Sequence, residues 1–186
     1  MSVLNPAEQI VVNGRAFIPF LAAGEVAEAV QRVAAQIDER YRGKYPLCIC
    51  VMKGAMFFFT DLVRMLDFPV QVDFVRASSY GAEMTSSGTL SFTAEPGTEI
   101  TGRNVIVVED IIDTGRTALA LRNYFSERGA ESVEVASLLY KPEADTLGQV
   151  PEYVGFEIAD RFVVGYGLDY AEEGRNLPGI FVLADD

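Results

Sequence analysis

The sequence of 186 residues contains no histidine and only two cysteines. The absence of histidine excludes histidine-dependent catalytic triads and histidine-based metal sites, so acid–base chemistry must fall to carboxylates, lysine or tyrosine. Cys48 and Cys50 lie two positions apart in an apolar run, a spacing that suits neither a disulfide nor a zinc site. We interpret both cysteines as small core residues.

The sequence also lacks a long apolar run and an excess of positive charge. No apolar stretch reaches the roughly 18 residues of a membrane span, because Lys53 interrupts the longest candidate, residues 47–59. The N-terminus has no basic region followed by an apolar core, as a secretory signal would, so we expect a cytoplasmic location. The net charge of −12 argues against sequence-independent binding to nucleic acid or to an anionic membrane. It leaves room for a local pocket that binds a phosphorylated small molecule.

Apolar strands alternate with amphipathic helices along the chain, which predicts an α/β fold with a mostly parallel central sheet flanked by helices. There is no internal repeat, low-complexity run or flexible linker, so a single domain over residues 1–186 is the simplest organisation. The predicted strands are 46–52, 69–80, 104–109 and 132–140, and the predicted helices are 24–41, 54–66 and 115–128. In such sheets ligands bind outside the carboxyl ends of the strands.

Three acids follow one of these strands within five residues: Glu109, Asp110 and Asp113. One interpretation is that they are solvated loop residues and that Asp113 or Thr114 only caps the next helix. However, close carboxylates repel one another, so clustering them requires a cation or hydrogen-bond donors. The cluster therefore also fits a site that binds hydroxyl groups or Mg²⁺.

The turn at 113–117 opens a helix, where free backbone N–H groups and the helix dipole favour an anion. Thr114 and Thr117 add hydroxyl donors, and Gly115 allows a close approach of the backbone. One face of the site thus suits a phosphate and another suits hydroxyls, a pairing that a phosphorylated sugar matches.

The stretch "VVEDIIDTGRT" closely resembles the phosphoribosyl-pyrophosphate (PRPP) binding signature of the type I phosphoribosyltransferases. Residues 52–62, 72–81, 135–145 and 154–178 stand in the order and register of the bacterial hypoxanthine-guanine phosphoribosyltransferases. The resemblance runs from about residue 45 to the C-terminus. It implies the type I phosphoribosyltransferase fold, with a small hood lobe built partly from the N- and C-terminal segments and a mobile lid loop.

The resemblance also implies a reaction in purine salvage. The 5-phosphoribosyl group of PRPP is transferred to hypoxanthine, and to guanine, with Mg²⁺, giving IMP or GMP and pyrophosphate; relatives are homodimers or homotetramers. Two alternatives remain open: a transferase that prefers xanthine or guanine, and a PRPP-sensing regulatory protein of the same fold that binds RNA or DNA. The pI of about 4.4 counts against the regulator, which should carry a basic face.

By the resemblance, Glu109 and Asp110 bind the ribose hydroxyls. Together with Asp169 they are also the carboxylates implied to bind Mg²⁺. Asp113 takes the proton from N7 of the base and is the catalytic residue. Residues 113–117, which include Thr114, Gly115, Arg116 and Thr117, match the 5′-phosphate loop, and Ile112 is a further substrate-binding residue.

The resemblance assigns Lys53 and Gly54 to a pyrophosphate-contacting turn that carries a non-proline cis peptide. Arg175 neutralises pyrophosphate in the closed state. Ser79 and Tyr80 head the segment 81–103, which matches the mobile lid that closes over the reaction. The alternative for Lys53 is a lysine that only caps a strand, and the alternative for the segment 81–103 is an ordinary polar surface loop.

Lys141 corresponds to the residue that donates to the purine 6-oxo group. A fixed cation prefers an acceptor oxygen to the amino group of adenine, which is the reason for expecting 6-oxopurines. Phe162 corresponds to the aromatic ring that stacks on the purine, and the backbone of Val163 to a contact at its other edge. The alternative for Lys141 is a solvated lysine before Pro142, and the alternative for Phe162 is an ordinary core phenylalanine.

Overall fold

The computed structural model of the protein describes residues 8–78 and 91–184. Of the helices in these two ranges, none has both the length and the apolarity to cross a membrane. The elements in chain order are β1 (Ile10–Val12), β2 (Arg15–Leu21), α1 (Ala23–Tyr41), β3 (Leu47–Val51), α2 (Met56–Met65), β4 (Gln71–Ser78), β5 (Ser91–Ala94), β6 (Asn104–Ile112), α3 (Arg116–Glu127), β7 (Ser132–Tyr140), β8 (Tyr153–Glu157), β9 (Val163–Val164) and β10 (Ile180–Leu183).

A six-stranded sheet with the order β5-β4-β3-β6-β7-β8 forms the centre of the described structure. All neighbouring strands in it run parallel except β5, which pairs antiparallel with β4. This confirms the predicted mostly parallel sheet. Strands covered on both faces must be apolar on both faces, and β3 is buried at all five positions.

Alternate residues of β3 enter two different cores. Cys48 and Cys50 pack with α1 and α2 on one face, whereas Leu47, Ile49 and Val51 pack with α3 on the other. Both cysteines are buried free thiols, so the interpretation of them as core residues is confirmed.

The predicted elements differ from the structure in two instructive places. Strand β6 continues past Glu109 to Ile112, because Ile111 and Ile112 still pair with β7. Strand β5 lies inside the segment 81–103, where the sequence predicted only a polar loop; it is short and lies at the sheet edge. Ser79, Tyr80 and residues 81–90 of the predicted lid lie outside the described residues.

The terminal segments form a second, antiparallel sheet with the order β1-β2-β10-β9. It has its own small apolar cluster, to which Val12, Phe17 and Phe181 belong. The loop after β9 packs on the turn after β3, since a Cβ built on Gly167 would overlap the carbonyl oxygen of Gly54. The second sheet therefore delivers the residues after β9 to the carboxyl edge of the central sheet.

Candidate functional site at the carboxyl edge of the central sheet

The carboxyl ends of the adjacent strands β3, β6 and β7 carry most of the predicted site. Lys53 follows the end of β3, Asp113 directly follows β6, and Lys141 directly follows β7. The backbone N–H of Lys141 donates to the carbonyl of Ile112 at 3.0 Å, which ties the ends of β6 and β7 together. The parallel topology thus brings together residues that are far apart in the sequence.

Glu109 and Asp110 form a largely buried pair of acids near the end of β6. Glu109 is 4% exposed, so the interpretation of it as a solvated loop residue is wrong. Burial, followed by the charge of Asp110, raises the pKa of Glu109 well above its usual range. Burial also raises the pKa of Asp110 to about 6; the charge of Asp169 adds to this increase, and backbone N–H groups and Arg175 oppose it.

The two acids face different parts of the site, because successive residues of a strand point to opposite faces of the sheet. Asp110 faces Gly54, where any Cβ would overlap its carboxylate. Glu109 lines a depression of about 80 Å³ together with residues 111–118. Within the described ranges no three carboxylates or thiolates form a metal-binding group, so Glu109, Asp110 and Asp169 are not one preassembled cluster.

An oxygen of Glu109 nevertheless fits a bound cation or hydroxyl. Oε1 of Glu109 is buried and has no hydrogen-bond partner among the described residues. A buried carboxylate oxygen in this state is costly unless a ligand supplies a donor or a metal ion. Mg²⁺ needs few protein ligands, since it keeps several waters and binds substrate phosphate oxygens.

The phosphate-loop candidate is the turn between β6 and α3. Gly115 stands at the N-cap of α3 with a φ of +78°, and no side chain makes a capping hydrogen bond. The interpretation of Asp113 or Thr114 as a helix cap is therefore wrong. Thr114 and Arg116 are exposed, whereas Thr117 is partly buried.

Asp145 supports this turn from the loop after β7. A Cβ on Gly115 would overlap Oδ1 of Asp145. The Asp145 carboxylate accepts a hydrogen bond from the Tyr140 hydroxyl at 3.1 Å and from the Leu147 N–H at 3.1 Å. Glycine at position 115 is thus required both by its left-handed backbone and by this close approach.

Lys141 is buried and lies between two carboxylates. Its Nζ is 2.9 Å from Oδ1 of Asp160 and 3.6 Å from Oδ2 of Asp113. The interpretation of Lys141 as a solvated lysine is wrong, since the residue is 6% exposed. The sequence reasoning missed Asp160, which lies 19 positions from Lys141 with no local pattern linking the two.

Phe162 directly precedes β9 and is 41% exposed, so it is not a plain core residue. Its ring meets Tyr170 edge-on at 5.5 Å between centroids and Phe17 at 6.2 Å. The neighbouring Val163 is buried and pairs with Val182 in the second sheet. Phe162 therefore stands at the end of this sheet as a residue that stays 41% exposed.

The turn after β3 carries a cis peptide between Met52 and Lys53. The resemblance placed the cis peptide in the Lys53–Gly54 turn, and the structure puts it one bond earlier. The sequence could not locate it, because no proline marks the position.

Lys53 and Arg175 are already paired with acids. Lys53 Nζ lies 2.9 Å from Oε2 of Glu172. Arg175 Nη2 lies 2.7 Å from Oδ1 of Asp169 and 3.5 Å from Oε2 of Glu172. Nη1 of Arg175 donates a hydrogen bond to the carbonyl of Gly167 at 2.8 Å. Lys53, and to a lesser extent Arg175, holds the pKa of Glu172 below its usual value.

Two further residues position the loop that carries Asp169, and the sequence reasoning missed both. The hydroxyl of Tyr166 donates to Oδ2 of Asp61 on α2 at 2.5 Å. Tyr166 adopts a φ of +49° between two glycines. The bond therefore fixes the turn before Asp169 to a helix of the main core.

Comparison with known proteins agrees with this geometry. Residues 20–171 match the family model of the phosphoribosyl transferase domain. The chain is 41% identical over 162 residues to the hypoxanthine-guanine phosphoribosyltransferase of Streptococcus thermophilus. The alignment covers 87% of this chain and 90% of that protein. It is 42% identical over 159 residues to the Bacillus subtilis enzyme of the same name, over 86% of this chain and 88% of that protein.

A solved structure shares the fold. The crystal structure of a hypoxanthine-guanine phosphoribosyltransferase from Bacillus anthracis superposes with a TM-score of 0.84 at 40% identity, and the match covers 88% of this chain and 96% of that chain. The resemblance seen in the sequence and the fold class that it implied are thereby confirmed. The chain belongs to the phosphoribosyltransferase family, among the hypoxanthine-guanine phosphoribosyltransferases.

Proposed function

We propose that this protein transfers the 5-phosphoribosyl group of PRPP to hypoxanthine and to guanine, and releases pyrophosphate with IMP or GMP. The observation that carries the proposal is the 3.6 Å separation between Nζ of Lys141 and Oδ2 of Asp113. N7 and the 6-oxo group lie side by side on one edge of a purine. A lysine and a carboxylate at this spacing can therefore donate to the oxygen and accept the N7 proton of the same base.

The ribose lies beside the base in this proposal, with its hydroxyls on Glu109 and Asp110. Both acids have raised pKa values, and Oε1 of Glu109 is buried with no hydrogen-bond partner among the described residues, so a ligand hydroxyl can supply the hydrogen bond that Glu109 lacks. The 5′-phosphate lies over residues 113–117, where the first N–H groups of α3 point at it.

Asp113 accepts the N7 proton while N9 of the base bonds to C1′ of the ribose and the bond from C1′ to pyrophosphate breaks. In this proposal the base stacks on Phe162, a residue that is 41% exposed, and the Val163 backbone contacts the other edge of the base. Holding both reactants in line lowers the entropic part of the barrier.

Mg²⁺ is proposed to bind with Glu109, Asp110 and Asp169 as its carboxylates, directly or through water. The buried Oε1 of Glu109 supports the fit. When bound, Mg²⁺ neutralises charge that develops on the pyrophosphate. Lys53 and Arg175 contribute positive charge to the same group, which lets a chain of net charge −12 bind a polyanion.

We also propose a cytoplasmic homodimer or homotetramer. Large apolar side chains on β4 and α2 are exposed, which supports a self-association surface: Val72, Phe74, Met56 and Met65. Light scattering after size-exclusion chromatography measures the assembly; a monomer at all concentrations would contradict this part of the proposal.

The direct test is spectrophotometric. Nucleotide formation from hypoxanthine and PRPP with Mg²⁺ is expected for the wild-type protein and should be lost in Asp113→Ala. PRPP binding without any nucleotide formation would instead identify a regulatory protein. Competition among hypoxanthine, guanine, xanthine and adenine then sets the base preference, and a preference for xanthine would replace the one proposed.

A further inference from the structure

One carboxylate, that of Glu172, contacts both cations that the proposed function assigns to pyrophosphate. Its Oε2 lies 2.9 Å from Nζ of Lys53 and 3.5 Å from Nη2 of Arg175. Lys53 follows the central strand β3, and Arg175 lies in the loop between β9 and β10. Glu172 therefore connects the turn after β3 with the loop between β9 and β10, the two segments that carry these cations.

The backbone holds Glu172 at this position. Ala171 and Glu172 adopt φ values of +52° and +69°, a left-handed conformation that is unfavourable for residues other than glycine. The N–H of Glu172 donates to Oδ2 of Asp169 at 2.8 Å, so the turn is closed by an acid of the same site. The Glu172 side chain itself is 66% exposed, which leaves it room to rotate into solvent.

We propose that Glu172 is an internal competitor for pyrophosphate. Its carboxylate neutralises Lys53 and Arg175 in the free protein, leaves them when the pyrophosphate group of PRPP binds, and returns when pyrophosphate departs. The inference rests on the proposed function of the site. An anion that must be displaced weakens ground-state binding of pyrophosphate and, by pairing with the vacated cations, favours its release.

The test compares Glu172→Gln with Glu173→Gln. Both variants remove one negative charge at neighbouring exposed positions, but Oε2 of Glu173 accepts a hydrogen bond from the N–H of Asn13 at 3.0 Å. Isothermal titration with pyrophosphate and Mg²⁺ should give a Kd about three- to tenfold lower for Glu172→Gln, since exposed ion pairs are individually weak. We expect Glu173→Gln to bind within about twofold of the wild-type protein by the same reasoning.

Stopped-flow release adds a kinetic readout. Pyrophosphate should leave Glu172→Gln more slowly than the wild-type protein, and the difference in Kd should shrink at high salt, where exposed charges are screened. An unchanged or higher Kd for Glu172→Gln, or equal tightening in both variants, would overturn the inference. A wild-type protein that makes no nucleotide and binds no pyrophosphate would reject the proposed function itself, and the inference with it.

Discussion

The acidic end and the cationic end of the site differ in how their charges are satisfied. At the acidic end, Glu109 is buried with an oxygen that lacks a partner among the described residues, and the pKa of Asp110 is raised to about 6. At the cationic end, Lys53 and Arg175 already contact carboxylates at 2.9 and 2.7 Å. A ligand adds a missing interaction at the first end, whereas at the second it must exchange existing ion pairs, although Nε of Arg175 is also buried without a partner among the described residues.

This difference separates what substitutions should do. Removing an acid at the first end deletes contacts that the ligand needs, but relieves a cost in the free protein. Removing a carboxylate that pairs with Lys53 or Arg175 at the second end removes a group that competes with the ligand for these cations. Binding and stability are therefore expected to respond in opposite ways at the acidic end.

The largest effect is expected at Asp113, whose carboxylate lies 3.6 Å from Nζ of Lys141. Asp113→Asn keeps the shape of the side chain but cannot accept the N7 proton, so we expect kcat to fall by about 10²- to 10⁴-fold, with PRPP binding retained. Steady-state kinetics and PRPP titration measure the two effects. Glu143→Gln, an exposed acid on the loop after Lys141, is the control. Unchanged turnover in Asp113→Asn would reject Asp113 as the proton acceptor.

Asp110→Asn tests the acidic end directly. The loss of one charged hydrogen-bond acceptor for the ribose should lower kcat/KM by about 10- to 100-fold. In metal-free buffer the same change should stabilise the protein at high pH. Chemical unfolding of the wild-type and variant proteins at several pH values, beside kinetic assays, measures both effects.

The direction of the pH effect follows from the raised pKa of Asp110. Folding disfavours the ionised form, so this residue imposes no penalty below its ordinary pKa of 3.8, a growing penalty as the pH rises from there, and the full penalty above its folded pKa of about 6. The variant should gain on the order of 1–3 kcal/mol in the free energy of unfolding at pH 8, and little at pH 4. A variant less stable than wild type at pH 8 would contradict the comparison between the two ends.

Lys141→Ala tests base selectivity. Without the buried cation between Asp113 and Asp160, the preference for a 6-oxopurine over adenine should fall by about tenfold or more. The ratio of kcat/KM for hypoxanthine and adenine measures this, with Lys44→Ala, whose ammonium lies over the Tyr41 ring, as the control. Unaltered selectivity would count against the assigned role.

The smallest effect is expected from a pair of glycine substitutions. Gly115 and Gly148 have φ values of +78° and +63°, so alanine should cost about 1 kcal/mol of backbone strain at either position. Only at Gly115 does the new Cβ meet neighbouring atoms, those of Asp145 and Gln149. Gly115→Ala should therefore raise the KM for PRPP more than Gly148→Ala does. Equal KM values would show that this contact does not shape the phosphate loop.

The sequence predicted the order of strands and helices well where apolar runs are long. Strand β7 was predicted with the bounds that the structure has, because nine residues of mostly buried positions leave little ambiguity. Strand β5 was missed, since four residues at a sheet edge carry no comparable pattern. Strand β9 has only two residues and depends on pairing with β10, and no local sequence pattern predicts that contact.

The candidate site was predictable where it follows strand ends. Glu109, Asp110 and Asp113 follow from their clustering, and Lys53 and Lys141 from the resemblance. Two partners of these cations, Glu172 and Asp160, were missed because no local pattern links them to Lys53 and Lys141: Glu172 is 119 positions from Lys53, and Asp160 is 19 positions from Lys141. How a charge is paired depends on tertiary packing, which residue types and spacing do not reveal.

The most direct measurement is a crystal structure of the protein with IMP bound. It should show the 5′-phosphate over residues 113–117, the ribose hydroxyls on Glu109 and Asp110, and the base against Phe162 with its 6-oxo group at Lys141. The contrary result is IMP in the larger groove of about 550 Å³, which Val11, Phe57 and Asn176 help to line, with the turn at 113–117 left without ligand.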